Sequence, residues 1–474
     1  MENVKKNDEL IVNIVDYGAD GEGIAKINGY TIFVLGALKG EKCKIHILKV
    51  LKTHAFAKVI QIIEKSSKRV EPDCTTFDKC GGCDLRHIAY SETLKIKQEK
   101  VQNLVNKMLK NKVKVNETVG MENPTFYRNK AIYPVTQDKK VGIFAKRSHN
   151  IIPINECKIQ TKISQEISKY ILDNWEDSIY DEETGKGLLR NIMVREGFKT
   201  DEIMLVLVQN GEKNVFKEFE NSQNGILKGL KDNASQKLLS EKTKGLSIKK
   251  LIEKFPEIKT IIINVNTEKT NVVLSRKNII VYGDGTITDR LGDYEFKISP
   301  NSFYQVNPVQ TEKLYNLAIE GAKLKKDDIL CDLYCGIGTI GIFASKYVKK
   351  VYGVEIVEEA IKDAKQNAEI NNVDNIEFIQ GDVEVAFNKM LDNGVKPSVV
   401  IVDPPRKGLD NKTIQNLCNL KLDRLVYVSC NSATLMRDLQ VLEDVYKINS
   451  ITPVDNFCYS SHIECVAVLK MKEK

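Results

Sequence analysis

Asp332-Leu-Tyr-Cys-Gly-Ile-Gly-Thr-Ile-Gly341 places an acidic residue ahead of a glycine-rich turn. Glycines at the junction of a strand and a helix let backbone amides approach a ligand at the helix N-terminus. About twenty residues on, Val351-Tyr-Gly-Val-Glu355 ends in a carboxylate able to accept hydrogen bonds from both hydroxyls of a ribose. Dinucleotide-binding proteins share that logic and are the rival reading. Gly381-Asp382 and Asp403-Pro-Pro-Arg406 follow further on, and Cys430 stands in Val428-Ser-Cys-Asn431. An isolated free cysteine is more often core than reactive, but this one closes a predicted parallel strand, at the edge where open α/β sheets bind ligands. A second set of thiols lies far upstream: Cys74-x5-Cys80-Gly-Gly-Cys83, with Cys157 as a distant fourth. Four soft ligands fit iron–sulfur or zinc. Spacing does not separate the two, and the residues alone lean to zinc.

The elements that must carry these groups are legible as periodicities. Residues 8 to 63 alternate apolar and polar positions between glycines, which predicts a small all-β barrel. Residues 64 to 293 read as an α+β region with a helix from Tyr90 to Leu109. Its strand-like runs are Leu188 to Val194, Ile203 to Val208, Ile261 to Val265 and Val272 to Ser275. The Lys-, Asn-, Gln- and Ser-rich stretch from Asn210 to Phe255 reads as exposed helices and loops. From 294 to 474 buried β-branched runs alternate with helices: Ile329 to Leu333, Lys350 to Glu355, Ile376 to Ile379, Ser398 to Asp403 and Arg424 to Ser429. That alternation predicts a parallel, doubly wound sheet. The expectation is therefore a multidomain α/β chain divided at 63/64 and 293/294.

Composition sets the class. A chain of 474 residues exceeds what one core usually supports, and 42% hydrophobic with 28% charged residues describes a folded globular protein rather than a disordered one. A net charge of +7 with lysine clusters from Lys65 to Arg69 and Lys107 to Lys114 permits local basic surfaces. The N-terminus lacks the apolar stretch of a signal peptide, and no membrane-length apolar run occurs. A cytoplasmic location, no membrane partner and a monomer are expected. The eleven cysteines, in a reducing compartment, then read as ligands, nucleophile or core rather than disulfides. Cys331, Cys335, Cys418, Cys458 and Cys465 fall in the core group.

Tyr17-Gly-Ala-Asp-Gly-Glu-Gly-Ile-Ala-Lys26 followed by Thr31-Ile-Phe-Val-Leu-Gly-Ala-Leu-Lys-Gly-Glu41 resembles the TRAM domain, an OB-like RNA-binding module. The aspartate before the glycines, Gly381-Asp382 and Asp403-Pro-Pro-Arg406 together resemble class I methyltransferases. Their sulfonium cofactor, S-adenosylmethionine, has no pyrophosphate and calls for carboxylates more than anion-binding amides. With Ser302-Phe-Tyr-Gln-Val-Asn307, Val428-Ser-Cys-Asn431 and Ser461-His-Ile-Glu-Cys465 in order, nearly the whole chain resembles the RumA-type RNA uracil-5-methyltransferases.

On the matching positions the resemblance implies Gln305, Tyr334, Glu355 and Asp403 as cofactor or substrate contacts, Cys430 as nucleophile and Glu464 as base; Asp382 is added as a cofactor contact. It also implies a 4Fe-4S cluster on Cys74, Cys80, Cys83 and Cys157, structural or RNA-contacting. The chemistry needs those residue types. Thiolate addition at carbon 6 of uracil makes carbon 5 an enolate carbon able to attack a methyl group, and a base must then remove the carbon 5 proton so that the thiol can leave. A stacked uracil cannot present itself to such a site, so the nucleotide should flip out; Phe303 and Tyr304 are candidates to stack on it, and Arg406 and Lys407 to meet phosphate or a base edge. Barrel plus cysteine set resembles the branch acting on 23S ribosomal RNA more than the bacterial tRNA branch. Transfer RNA is the runner-up, with cytosine-5 methylation and a non-catalytic RNA-binding assembly factor as further alternatives.

Overall fold

The computed structural model describes residues 4–146, 148–216 and 245–473. Five strands, β1 (Glu9–Tyr17), β2 (Gly23–Ile27), β3 (Tyr30–Leu35), β4 (Lys42–Val50) and β5 (His54–Glu64), close into a barrel in the order β1-β2-β3-β5-β4. Successive side chains of a strand point to opposite faces, so Cys43, Ile45 and Ile47 of β4 fill the interior while Lys42, Lys44 and His46 face outward. Arg69, from the first lysine cluster, donates to the buried Glu41 carboxylate at 2.7 and 2.9 Å. It pins the barrel's exit rather than presenting a free charge.

The next stretch holds α1 (Tyr90–Met108), β6 (Lys130–Pro134), β7 (Gly142–Phe144), β8 (Ile151–Pro153), α2 (Lys162–Asp173), β9 (Leu189–Glu196), β10 (Ile203–Gln209), α3 (Ile248–Lys254), β11 (Ile258–Val265) and β12 (Asn278–Tyr282). Its main sheet runs β12-β11-β10-β9-β6. Period-2 alternation sends Leu205, Leu207, Ile261 and Ile263 toward α2 and α3, and Met193, Met204, Val206 and Ile262 toward the C-terminal core. Both faces are covered, which is why β10 is apolar in all but its last residue and buried throughout.

Two expectations change here. Val272 to Ser275 is not a strand: the Asn266 side-chain amide donates to the carbonyls of Val272 and Val273, both at 2.8 Å, and Asn264 to that of Ser275 at 2.9 Å, satisfying backbone groups that a ladder would otherwise hold. Within Asn210 to Phe255, read as exposed, Phe216, Leu246, Leu251 and Phe255 belong to the core; residues 217–244 of that stretch lie outside the described residues.

A hairpin of β13 (Ile287–Leu291) and β14 (Tyr294–Ile298) leads to α4 (Pro308–Ala322). Then follow β15 (Ile329–Leu333), α5 (Thr339–Ser345), β16 (Lys350–Glu355), α6 (Glu358–Ile370), β17 (Ile376–Gln380), α7 (Val383–Asp392), β18 (Val399–Val402), α8 (Asn411–Leu420), β19 (Arg424–Ser429), α9 (Ser432–Leu442), β20 (Tyr446–Val454) and β21 (Glu464–Met471). The sheet order is β17-β16-β15-β18-β19-β21-β20, with the first five strands parallel and β21 antiparallel to both neighbours. Chain order reverses between β15 and β18, which opens a crevice at their C-terminal ends. Val101 and Val105 of α1 share a core with Leu435, Met436 and Leu439 of α9, so a helix from the middle of the chain completes the C-terminal packing. Among the described residues no helix is long and apolar enough to cross a membrane.

Candidate active site

Gln305, Tyr334, Glu355, Asp382, Asp403, Cys430 and Glu464 all line one cavity of about 520 Å³ at the reversal of strand order. At the glycine turn, Tyr334 adopts a left-handed backbone (φ 67°) and its N–H donates to the Val354 carbonyl at 2.9 Å. Gly338 caps α5 at φ 81°, and a Cβ there would come within 2.7 Å of the Phe378 ring, so only glycine fits. Glu355 accepts from the Gly336 N–H at 3.2 Å and the Val357 N–H at 2.9 Å, which fixes its carboxylate at the mouth of the glycine turn with lone pairs to spare. Asp332 accepts from Gly341 N–H at 2.8 Å through one oxygen, while the other is buried without a partner; burial pushes its carboxyl up to about 7. Asp382 accepts from Glu384 N–H at 3.0 Å as the N-cap of α7, a sufficient structural reason for an aspartate there.

Cys430 and Glu464 meet because β19 and β21 are neighbours, with Ser429 opposite Cys465. Cys430 directly follows one strand and Glu464 begins the other. Glu464 is 2% exposed, and burial followed by the Asp403 charge pushes its carboxyl up to about 8. Burial, then Glu464 and Asp403, pushes the Cys430 thiol up to about 11, and burial alone raises Asp403 to about 7. Arg406 is the cation that opposes the rise at both Cys430 and Glu464. Burial therefore disfavours the ionised form of both Cys430 and Glu464, and Glu464, with the lower of the two values, is the group that ionises first as pH rises.

The loop from 455 to 463 that delivers Glu464 is held by contacts remote in sequence. Asp455 forms a buried ion pair with Lys97 and accepts from the Tyr90 hydroxyl at 2.8 Å, both from α1. The Asn456 side-chain amide donates to Gln305 Oε1 at 3.3 Å, and Asn129 donates to the Gln305 carbonyl at 3.0 Å. Asn307 ends the same irregular segment as the N-cap of α4, accepting from Gln310 N–H at 3.2 Å. The two aromatic candidates part company: Tyr304 is buried and donates to Asp289 at 3.2 Å, whereas Phe303 is 70% exposed at the cavity rim.

Sequence reasoning missed Asn129, Asn456 and Phe457, which carry no motif signal. It filed Cys335 with the core, and Cys335 is buried yet also lines the cavity. Cys331 and Cys465 are wholly buried, as core cysteines are.

Elsewhere, Cys74, Cys80, Cys83 and Cys157 line one small cavity together. Burial, with the neighbouring thiols adding and Arg86 opposing, pushes Cys83 up to about 12. Gly82 N–H points at Cys80 Sγ at 3.3 Å, and Gln165 accepts from Cys157 N–H at 2.6 Å. Among the described residues no group of three His, Cys, Asp or Glu is placed to hold a single metal ion.

Comparison with known proteins fits this geometry. Residues 242–472 match the family model for tRNA (uracil-5-)-methyltransferase, and residues 4–60 match the TRAM domain. An uncharacterized RNA methyltransferase of Clostridium tetani is 44% identical over 98% of this chain and 97% of its own length. The chain belongs to this family of RNA methyltransferases. A Staphylococcus aureus relative, also an uncharacterized RNA methyltransferase, is 40% identical over the whole of both chains. Among solved structures, the Pyrococcus abyssi tRNA (uracil-54, C5)-methyltransferase in complex with S-adenosyl-L-homocysteine is 26% identical with a TM-score of 0.72, covering 97% of this chain and 100% of that one.

Proposed function

We propose that this family member methylates carbon 5 of a uridine in RNA, with Cys430 as covalent nucleophile and Glu464 as base. The observation that carries the reading is the meeting of Cys430, Glu464 and Asp403 with Glu355, Gln305 and Tyr334 around one cavity. S-adenosylmethionine, when bound, supplies an electrophilic methyl group. Glu355, which lines the cavity with lone pairs to spare, would accept its ribose hydroxyls.

Cys430 loses its proton to solvent and its sulfur bonds to carbon 6 of uracil, the carbon 5–carbon 6 π electrons moving into an enolate. Carbon 5 takes the methyl group as the bond between methyl and the sulfonium sulfur breaks and its electron pair stays on that sulfur. Carbon 5 then bears methyl and hydrogen. Ionised Glu464 removes that hydrogen as a proton, the carbon 5–carbon 6 double bond reforms, and the electron pair of the carbon–sulfur bond returns to Cys430. Arg406 supplies the local positive potential for both anions.

The four upstream thiols ring a cavity in apolar surroundings with a backbone amide aimed at one sulfur, a donor set that fits a 4Fe-4S cluster. Cys74, Cys80, Cys83 and Cys157 would hold it; methyl transfer needs no electron, so its part is to brace this region. We take 23S ribosomal RNA as the substrate, on the pairing of the RNA-binding barrel with that cysteine set. Transfer RNA is the second reading, favoured by the Pyrococcus neighbour, whose own substrate is tRNA. Units spanning 1–63, 64–293 and 294–474 would divide the work into RNA grip, brace and catalysis, in the cytoplasm. Tritium release from RNA labelled at uridine carbon 5 tests the reaction: cofactor-dependent release supports it and none contradicts it. Mapping 5-methyluridine in ribosomal and transfer RNA from cells lacking the protein decides the substrate.

A further inference from the structure

A second cleft of about 410 Å³ opens on the other side of Cys430, and neither the cofactor nor the reacting uracil accounts for it. It is lined by the end of β1 and its turn, from Asp16 to Ala19, by α1 residues from Ile96 to Lys107, and by Cys430 with the start of α9. We infer that this cleft between barrel and α1 binds the nucleotide flanking the target uridine in the RNA strand. The inference rests on the reading of Cys430 as the nucleophile.

Continuity is the first argument. Cys430 and Arg406 line both cavities, so a base seated for attack by Cys430 has its sugar and phosphate at the rim where the second cleft begins. Chemistry is the second. Tyr17 is half-buried, packs against the small core of Leu38, Leu85, Ile88 and Ile96, and lines the cleft. An aromatic side chain anchored in a small core and lining a cleft is the residue type on which an unstacked base can stack. Its hydroxyl, raised to about 12 chiefly by burial, stays a neutral donor at every working pH.

Charge is the third. Lys100 is fixed by donation to the Ser461 carbonyl at 3.0 Å, and Lys107 is exposed with no ion pair among the described residues. The acidic residues of the cleft are already engaged: Asp16 lies 3.3 Å and Glu99 4.0 Å from the Lys39 ammonium. Lys107 and Arg406 remain exposed beside the part-buried Lys100, and exposed lysine and arginine are the side chains that meet a phosphodiester. The volume falls in the range of about 300–1,000 Å³ typical of ligand sites.

The test uses the full-length enzyme and 5-fluorouridine-substituted transcripts of ribosomal and transfer RNA, on which Cys430 is trapped at its target because fluorine cannot leave as a proton. A photo-crosslinking residue, Tyr17→p-benzoylphenylalanine, is then irradiated and the crosslinked nucleotide mapped. The crosslink is expected within two nucleotides of the one held by Cys430. Tyr17→Ala should slow trapping about 10-fold, the scale of one lost base stack, with cofactor affinity unchanged, and Tyr17→Phe should trap nearly as fast as wild type. A crosslink elsewhere, or trapping by Tyr17→Ala at the wild-type rate, overturns the assignment. No trapped RNA with wild type on either transcript is a different failure, seen before the Tyr17 arm is read: it overturns the chemistry of Cys430 and this cleft's role with it.

Discussion

Cys430 and Cys83 are both half-buried thiols pushed above their usual range, to about 11 and about 12, and they differ in what stands beside them. Around Cys83 are three more thiols, with Arg86 as the opposing cation. Around Cys430 are two carboxyls, Glu464 and Asp403, with Arg406 as the opposing cation. Sulfurs grouped with sulfurs can share soft metal; a sulfur grouped with carboxyls can exchange protons with them. The residue type is the same and the neighbours decide the chemistry.

Swapping single atoms on each side should separate the two. The largest effect is expected from Cys430→Ala, which removes the nucleophile and should lower kcat by about 10⁴-fold or more in a labelled-methyl assay. Cys83→Ser, by contrast, should lose iron, read by metal analysis, while the folded fraction still captures 5-fluorouridine RNA through Cys430. Equal loss of capture in both variants would erase the distinction.

Next is Glu464→Gln. Without a base the methylated adduct cannot eliminate, so kcat should fall by about 10²–10⁴-fold. A covalent complex carrying the methyl group should then accumulate on ordinary uridine RNA, visible as a band that migrates with both protein and RNA. In wild type the working form is the carboxylate. With Glu464 titrating at about 8, the rate of elimination should rise tenfold per pH unit below that value and level off above it. A rate flat from pH 6 to pH 8 would remove Glu464 from this role.

Smaller effects probe the cofactor half. Glu355→Gln weakens two hydrogen bonds to a charged acceptor, about 1.5–3 kcal/mol, or roughly 10- to 150-fold in S-adenosylmethionine affinity by calorimetry, with RNA affinity unchanged. The least is a stability trend. Asp332 and Asp403 at about 7 and Glu464 at about 8 hold protons in the folded chain that the unfolded chain releases near pH 4. Stability of the cofactor-free protein is therefore fullest below pH 4 in these three terms and is lost as pH rises from 4 to 8. Asp403→Asn should flatten that slope in thermal melts.

The sequence carried the parallel strands and the motif residues because both are local: β-branched runs mark buried strands, and Tyr334, Glu355, Asp403 and Cys430 each sit at or just after a strand's C-terminal end. It did not carry the choice of cofactor by spacing, since Gly336-x-Gly-x-x-Gly341 equally matches a dinucleotide turn; the acids that follow each strand had to decide. Nor could it show the Lys97–Asp455 pair, which joins positions 358 residues apart, or Asn129 reaching Gln305 across 176. Lysine and asparagine at such sites look like any solvated residue until the fold buries them. Val272 to Ser275 failed for the converse reason: a β-branched pair was held by side-chain amides instead of a ladder.

The most direct measurement of the central claim is peptide mapping by mass spectrometry of the complex formed with 5-fluorouridine RNA and S-adenosylmethionine. The account predicts one modified peptide, with methylated fluorouridine attached at the sulfur of Cys430. A stable complex joined through any other residue, or intact RNA and an unmodified Cys430 in enzyme that turns over normal RNA, would contradict it.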